Sequence, residues 1–433
     1  MTPGGRVQAA IEILDAILSP PAGRERTPAH AVVAGYTRKR RYIGSKDRRA
    51  ITGLVWQALR YRGRALWANG QERLSGRDLA VAALAGASGL SEAEMDGLFG
   101  GSAYGPQGLN ASERALADAV RAASGPPPWA VANMPDWLAA EAEPVLGTSG
   151  PAGWRVLAEE APATMRVNTL KAAREACLAA LRNAGVDAVP TALDPLGIRL
   201  LSRVNLAQLA AVREGWLESQ DEGSQIAAAL VAARPGMRVL DYCAGGGGKS
   251  LALAAAMANE GRIVATDTDP DRLAPLSRRA RRAGATIIET RTIEPGDPVE
   301  AGGFDRVLVD APCSGSGAWR RQPEAPWRLD RERYDALQTD QFGILTAAAP
   351  AVARGGRLVY ATCSVFPAEN DAVVGRFLRS NPAFAPLAVG DIWPAVLGAA
   401  APAAAIAGNA VRLLPHIAST DGFFVAVMER TRQ

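Results

Sequence analysis

Histidine and cysteine are scarce in this chain, with two of the first and four of the second among 433 residues. No Cys-x-x-Cys pair occurs, so neither a disulfide framework nor a Cys/His zinc site is expected, and the chain reads as reduced and cytoplasmic. His30 and His416 lie far from every motif described below, which removes support for a His-based Ser or Cys triad. Long apolar runs are also missing. The longest weakly polar stretch, Pro394 to Gly408, is Ala-rich and interrupted by Pro402. It falls short of the roughly 20 apolar residues a membrane span needs, and reads as a surface loop. No basic start followed by an apolar core opens the sequence, so no signal peptide is expected. Lysine is rare too: of 48 basic residues only Lys39, Lys46, Lys171 and Lys249 are lysine. In so Arg-biased a chain, a lysine inside a glycine loop points to a need for a compact charge there.

What is present is an ordinary globular composition, 48% hydrophobic and 21% charged. The length suits about three domains. Charge is unevenly spread: residues 1–74 carry 14 Lys/Arg against 5 Asp/Glu, whereas residues 75–165 carry 4 against 11. Arg38-Lys39-Arg40-Arg41, Lys46 with Arg48 and Arg49, and Arg60, Arg62 and Arg64 are interleaved with Tyr36, Tyr42, Trp56, Tyr61 and Trp67. Such asymmetry suggests a polyanion partner, with Arg40, Arg41, Lys46 and Arg48 as candidate nucleic-acid contacts. The plainer reading is a solvated helix face.

Residues 1–128 read as all-helical. Val7, Ile11, Leu14, Ile17 and Leu18 fall at helical spacing, a second amphipathic segment follows Ser45, and Ser91 and Ser112 suit N-caps. The Gly125-Pro126-Pro127-Pro128 run marks a boundary. Residues 129–215 read as a small α+β module, with strands near Thr164–Asn168 and Gly197–Leu201 and a helix between them. Residues 216–433 alternate strand and helix, with strands near Arg238–Tyr242, Arg262–Asp267, Thr286–Glu289, Arg306–Asp310, Arg357–Ala361 and Gly422–Met428. This alternation predicts an α/β fold with a doubly wound, mostly parallel sheet covered on both faces.

The first of these strands runs into Cys243-Ala244-Gly245-Gly246-Gly247-Gly248-Lys249 and then a helix. Glycines let the backbone approach a ligand, and Asp267, ending the second strand, suits the two hydroxyls of a ribose. A dinucleotide fingerprint does not fit, because Leu251 stands where a third glycine is required. A phosphate loop misses by one residue, Cys243 replacing its first glycine. Val307 to Asp310 still mimics the magnesium-holding strand of ATPases, which keeps nucleotide hydrolysis as an alternative. An S-adenosylmethionine site uses the same turn and carboxylate without phosphate contacts.

Cys177, mid-helix, and Cys243 read as packing residues. Cys313, in Asp310-Ala311-Pro312-Cys313-Ser314, and Cys363, in Ala361-Thr362-Cys363-Ser364, each follow an apolar strand directly. Ligands collect beyond the carboxyl ends of parallel strands, so both sulfurs are expected to face one crevice. Ser314-Gly315-Ser316-Gly317 is not a nucleophile elbow, since Pro312 stands at its first glycine. Two thiols beside a sulfonium suit cytosine chemistry. A thiolate adding to carbon 6 makes carbon 5 enamine-like and able to take a methyl group. Asp310 is placed to donate toward the N3 edge. A second thiol can assist release. On this reasoning either cysteine can be the nucleophile.

These motifs resemble the Sun/Fmu/RsmB family of ribosomal RNA cytosine C5-methyltransferases, most specifically in the two cysteine motifs. Arg166-Val167-Asn168, Gln220-Asp221 and Asp421-Gly422-Phe423-Phe424 extend the resemblance over most of the chain. The resemblance implies a NusB-like RNA-binding domain at the N-terminus, a small RNA-recognition module that includes Arg166, Asn168 and Lys171, and a Rossmann-like methyltransferase domain. It implies Cys363 as nucleophile and Cys313 as the residue that helps product leave. S-adenosylmethionine contacts are implied for the loop from Cys243 to Lys249, for Asp267 and Asp310, and for Arg272 toward the methionine carboxylate. Two departures stand out: Gly245-Gly246 replaces the family's usual Ala-Pro, and Arg291 replaces an aspartate expected near the adenine. The expected substrate is small-subunit ribosomal RNA, with transfer RNA, or RNA binding without catalysis, as alternatives. No metal or membrane partner is expected, and the chain is expected to be monomeric.

Overall fold

The computed structural model describes residues 1–20, 27–100, 104–294, 297 and 299–431. The chain divides into two compact units, one of Met1–Glu160 with Trp319–Leu329, the other of Ala161–Ala318 with Asp330–Gln433.

The first unit is helical. Its longest helix, Ser45–Asn69, buries Ile51, Val55, Ala58 and Leu59, one stripe at helical spacing, and packs on the helices Pro3–Leu18 and Gly76–Ala82. Ser75, Ser91 and Asn110 close capping boxes with Asp78, Glu94 and Glu113. Asn110, not the expected Ser112, caps Ala111–Ala122: its Oδ1 accepts from Glu113 N at 2.9 Å, and Ser112 lies inside the helix. The proline run does not end the unit, which continues through the helices Asp136–Leu146 and Gly150–Arg155.

The second unit holds two sheets. The smaller is antiparallel, formed by β1 (Ala163–Val167), β2 (Ala188–Pro190), β3 (Gly197–Leu200) and β4 (Leu217–Ser219) in the order β2-β3-β1-β4. Its last strand therefore lies beyond residue 215, the boundary expected from sequence. The helix Arg174–Asn183 packs Cys177 and Leu181 into the apolar cluster beside it.

Among the described residues the larger sheet has nine strands. These are β5 (Arg238–Asp241), β6 (Arg262–Asp267), β7 (Ile288–Thr292), β8 (Phe304–Asp310), β9 (Val352–Thr362), β10 (Phe384–Leu387), β11 (Ile406–Ala407), β12 (Ala410–Leu413) and β13 (Phe423–Arg430). Their order is β11-β12-β13-β9-β8-β5-β6-β7, with β10 beside β13. The five strands β9-β8-β5-β6-β7 are parallel, and the rest pair antiparallel at one side. Val307, Leu308 and Val309 on β8, and Leu358 to Ala361 on β9, are fully buried, as a sheet covered on both faces demands. Strand order reverses between β5 and β8, so the crevice of the fold opens beyond Asp241 and Asp310.

Short β10, β11 and β12 were not among the expected strands; they pair antiparallel with β13 or with each other. Pro394–Gly408 is largely exposed, as its composition suggested, but it begins as the end of a helix and anchors two residues in the core. The helix Val389–Leu397 buries Trp393 and Leu397, and Ala405 is buried with them, alanine methyls packing as small apolar groups. Among the described residues no helix is long and apolar enough to cross a membrane.

Candidate active site

The glycine turn links β5 to the helix Gly248–Ala256. Gly247 has φ +77°, and a Cβ there would lie 2.1 Å from Leu276 Cδ1, so sterics and backbone both require glycine. Asp241, ending β5, is fully buried; burial pushes its carboxyl up to about 6, against a 2.6 Å hydrogen bond from the Ser250 hydroxyl. Asp267 at the end of β6 accepts from Gly245 N at 2.9 Å and from Asp269 N at 3.0 Å, and Arg272 Nη1 lies 3.5 Å from it.

Lys249 turns toward β8 and donates to Asp310 Oδ2 at 2.7 Å. Its side chain is 8% exposed. Burial alone would lower its pKa; the attraction and hydrogen bond of Asp310 outweigh that and raise it. The compact charge flagged in the sequence is thus committed to a carboxylate at the next strand end. Asp310, expected as a lone acid, is half of an ion pair.

A cavity of about 800 Å³ opens at this point, and Cys243, Asp267, Arg272, Asp310, Cys313 and Cys363 all line it. Ala244 and Gly245 to Gly248 form the turn, and Lys249 is directed at Asp310; these residues do not line the cavity. The helix Arg331–Ala348 supplies Leu337, Asp340 and Ile344 to another wall. Arg291 pairs with Glu289 at 2.9 Å, and Ile293 of the following segment reaches the cavity instead. Among the described residues, this departure leaves an apolar side chain where an aspartate was expected.

The two thiols meet here. Cys313 Sγ and Cys363 Sγ are 3.5 Å apart, both half-buried, although 50 positions separate them. Adjacency of parallel β8 and β9 causes this, since Asp310 pairs with Ala361 and each chain leaves the sheet just before its cysteine. The shared hydrogen bond with Cys363, then burial and the nearby Glu369 charge, raise Cys313 well above the ordinary thiol value. Two thiols this close titrate as a pair, and the loss of a proton from one opposes its loss from the other. Burial raises Cys243 as well, with repulsion from Asp310 adding to it.

Sequence reasoning missed the group that ties the two cysteine loops together. Glu369 is fully buried. Its Oε1 accepts from Ser314 N at 2.7 Å and Gln341 Nε2 at 2.9 Å, and its Oε2 accepts from Ser314 Oγ at 2.5 Å and from Ser364 Oγ. Ser316 Oγ adds a 3.1 Å contact to Ser364 Oγ, and Gly317 N donates to Cys363 O at 2.9 Å. The signal available was a lone Glu-Asn pair shortly after Cys363, which carries no periodicity.

Other candidates are not brought to this cavity. Arg166 is buried, with Nε donating to Gln220 Oε1 at 2.7 Å, and burial pulls it down to about 10. Asn168 is buried too, its Nδ2 bonded to Gly215 O and Ala283 O at 2.8 Å each. These two side chains hold the small sheet in place and are not surface RNA contacts. Lys171 is exposed, its Nζ 3.0 Å from Glu214 O. In the helical unit, Arg40 stacks over Tyr36 at 3.6 Å and pairs with Glu12 at 3.3 Å. Arg41, Lys46 and Arg48 are exposed and have no ion-pair partner among the described residues.

Residues 228–429 match the family model of 16S rRNA methyltransferase RsmB/F, and residues 134–207 match the ferredoxin-like domain of RsmF/B-like methyltransferases. Probable ribosomal RNA small subunit methyltransferase B of Synechocystis is 32% identical over 311 residues, 69% of this chain and 67% of that protein. The Bacillus subtilis protein of the same name is 33% identical over 62% of this chain and 59% of its own length. Ribosomal RNA small subunit methyltransferase B of Citrobacter koseri is 34% identical over 67% of this chain and 65% of that protein. The match thus spans about three fifths to two thirds of these relatives. The crystal structure of PH0851 superposes with a TM-score of 0.76 at 25% identity, covering 99% of both chains. NSun6 from Pyrococcus horikoshii with SFG shares the fold at a TM-score of 0.60 and 19% identity, over 70% of this chain and 100% of that one. The cavity fits the cofactor of such a fold: a buried carboxylate at the second strand end, a glycine turn after the first, and apolar wall residues Ile293 and Ile344. By its catalytic-domain and ferredoxin-like matches and its Rossmann-like sheet, this chain belongs to the RsmB/F family of S-adenosylmethionine-dependent methyltransferases.

Proposed function

We propose that this chain methylates carbon 5 of a cytosine in RNA, with small-subunit ribosomal RNA as substrate, through a covalent bond between Cys363 and the base. The observation that carries this reading is the 3.5 Å separation of two thiols at one wall of a cavity shared with Asp310 and Asp267. A single thiol would serve for attack; a second at bonding distance suits a reaction that must also release the enzyme.

S-adenosylmethionine, when bound, supplies an electrophilic methyl group. Asp267, held by the Gly245 amide, suits its ribose, and Arg272 suits its carboxylate. Cys363 Sγ, as thiolate, bonds to carbon 6 while the Cys313 sulfur stands 3.5 Å away. Asp310 lines the cavity with the Lys249 ammonium behind it, and a proton passed through the pair to the N3 edge relieves charge as it develops on the ring. After methyl transfer the Cys313 sulfur, ionised once Cys363 is tied up in the adduct, takes the carbon 5 proton; that electron pair re-forms the carbon 5–carbon 6 double bond, the carbon–sulfur bond breaks, and Cys363 departs as thiolate. Cys313 assists that last step.

Calorimetric titration with S-adenosylmethionine, followed by methylation of 16S ribosomal RNA and of transfer RNA in parallel, tests the reading. Cofactor binding and 5-methylcytosine in the 16S product, located by bisulfite sequencing, are the expected results. Label only in transfer RNA would move the substrate; no cofactor binding would leave an RNA-binding protein without catalysis.

RNA capture is assigned to the helical unit. Arg38 and Arg48 line a cavity of about 380 Å³ with His30 and Trp56, a cationic pocket beside an aromatic ring. Neutralising Arg40, Arg41 and Arg48 together is expected to weaken RNA binding and to lower the slope of log affinity against log salt by about 2, because Arg40 is already partly spent on Glu12. An unchanged slope in a filter-binding series would reduce this surface to solvated helix.

A further inference from the structure

The glycine turn poses a physical problem. Four consecutive glycines lose more conformational entropy on ordering than any other tetrapeptide, yet a cofactor loop has to be preorganised to bind well. The structure shows what holds the turn. Arg279, on the helix Pro270–Ala283, donates from Nη1 to the carbonyl of Gly246. A Cβ at Gly246 would meet that same Nη1 at 3.1 Å, and one at Gly245 would meet Arg272 Nη2 at 3.0 Å, so guanidinium groups occupy the space that side chains would need.

Arg279 is itself held. Its Nη2 lies 3.6 Å from Glu218 Oε1, and Arg282 Nη2 donates to Glu218 Oε2 at 2.7 Å. The Glu218 side chain is 12% exposed and lies on β4 of the small sheet, in register with Arg166 of β1. Gln220, just past β4, reaches the same place: its Nε2 would be 3.8 Å from a Cβ on Gly248. The edge of the small sheet thus touches the turn through one ion pair and one amide.

We infer that Arg279, oriented by Glu218, is a positioning residue that orders the cofactor turn, so that the small sheet sets the affinity of the methyltransferase crevice for its cofactor. The inference rests on the methyltransferase reading above, and it deepens that reading by naming what stiffens this site. Arg279 does not line the cavity and takes no part in bond making. Its loss frees the Gly246 carbonyl and the turn around it, whereas the thiols and the Lys249–Asp310 pair keep their own contacts.

The test is calorimetry and steady-state kinetics on the full chain. Arg279→Met is expected to weaken S-adenosylmethionine binding about tenfold, the worth of a charge-assisted hydrogen bond plus released backbone freedom. KM for the cofactor should rise in parallel, with kcat and RNA affinity nearly unchanged. Arg279→Lys, which keeps the charge near Glu218 but loses the planar fork, should fall between, and Glu218→Gln should cost about threefold. Placing proline at the loosened position, Arg279→Met with Gly246→Pro, should recover most of the affinity, because proline fixes φ and restores stiffness by another route. Wild-type protein that binds no cofactor would overturn the methyltransferase reading. Wild-type binding with an unaltered Arg279→Met constant would overturn this inference alone, as would an equal loss in RNA affinity and melting temperature, the mark of general damage.

Discussion

Cys363→Ala is expected to abolish both methyl transfer and any covalent protein–RNA species, a loss of at least about 10³-fold in turnover, or roughly 4 kcal/mol of barrier. Cys313→Ala should behave in the opposite way toward the adduct. Without the second thiol, attack and methylation still proceed, but release stalls, and a complex stable to denaturing electrophoresis accumulates. The asymmetry follows from the roles proposed for two sulfurs 3.5 Å apart: Cys363 bonds the base, and Cys313 acts only at release. Denaturing gels with labelled RNA and S-adenosylmethionine decide the matter: adduct in the Cys363 variant, or equal adduct in both, would reverse or remove the assignment.

Glu369→Ala is expected to have the second largest effect. The carboxylate accepts from Ser314 N, Ser314 Oγ, Ser364 Oγ and Gln341 Nε2 in a site with no solvent access. Truncation strands several buried donors and costs about 3–5 kcal/mol of stability, a melting temperature lower by roughly 10 °C. It also unties the loops carrying the thiols from each other. Glu369→Gln is the sharper probe, because it preserves volume and part of the hydrogen bonding. It should melt within a few degrees of wild type, yet form adduct more than about tenfold slower, as geometry loosened by a fraction of an ångström affects rate before stability. If the Gln variant reacted at the wild-type rate, Glu369 would be framework only.

Much of this site was legible locally. Val307-Leu308-Val309 and Leu358-Val359-Tyr360 are apolar runs with a cysteine shortly after, and such runs become buried parallel strands whose ends meet a crevice. The glycine turn and Asp267 were readable for the same reason. Arg166 and Asn168 were misread because a motif resemblance reports that a residue matters without telling whether it faces RNA or the interior. Their burial and hydrogen bonds to Gln220, Gly215 and Ala283 answer that. The antiparallel β10 to β12 were lost because they are only two to four residues long; Gly408-Asn409 does mark the β11–β12 hairpin, but the pairing of β10 and β12 with β13 joins distant residues.

The amino-acid sequence by itself determined the parallel strands, the turn, the pair of cysteine motifs and the basic N-terminal face, because these depend on periodicity and on the conformational limits of neighbouring residues. Only the tertiary structure decided that the thiols touch, that Lys249 belongs to Asp310, that Glu369 binds two loops and that Arg279 holds Gly246. All of those contacts except Ser364 to Glu369, five positions apart, join residues distant in the chain through the adjacency of strands and the packing of helices. Hydrogen bonds and ion pairs act over a few ångströms of space, and sequence distance carries no record of which distant groups folding will bring within that range.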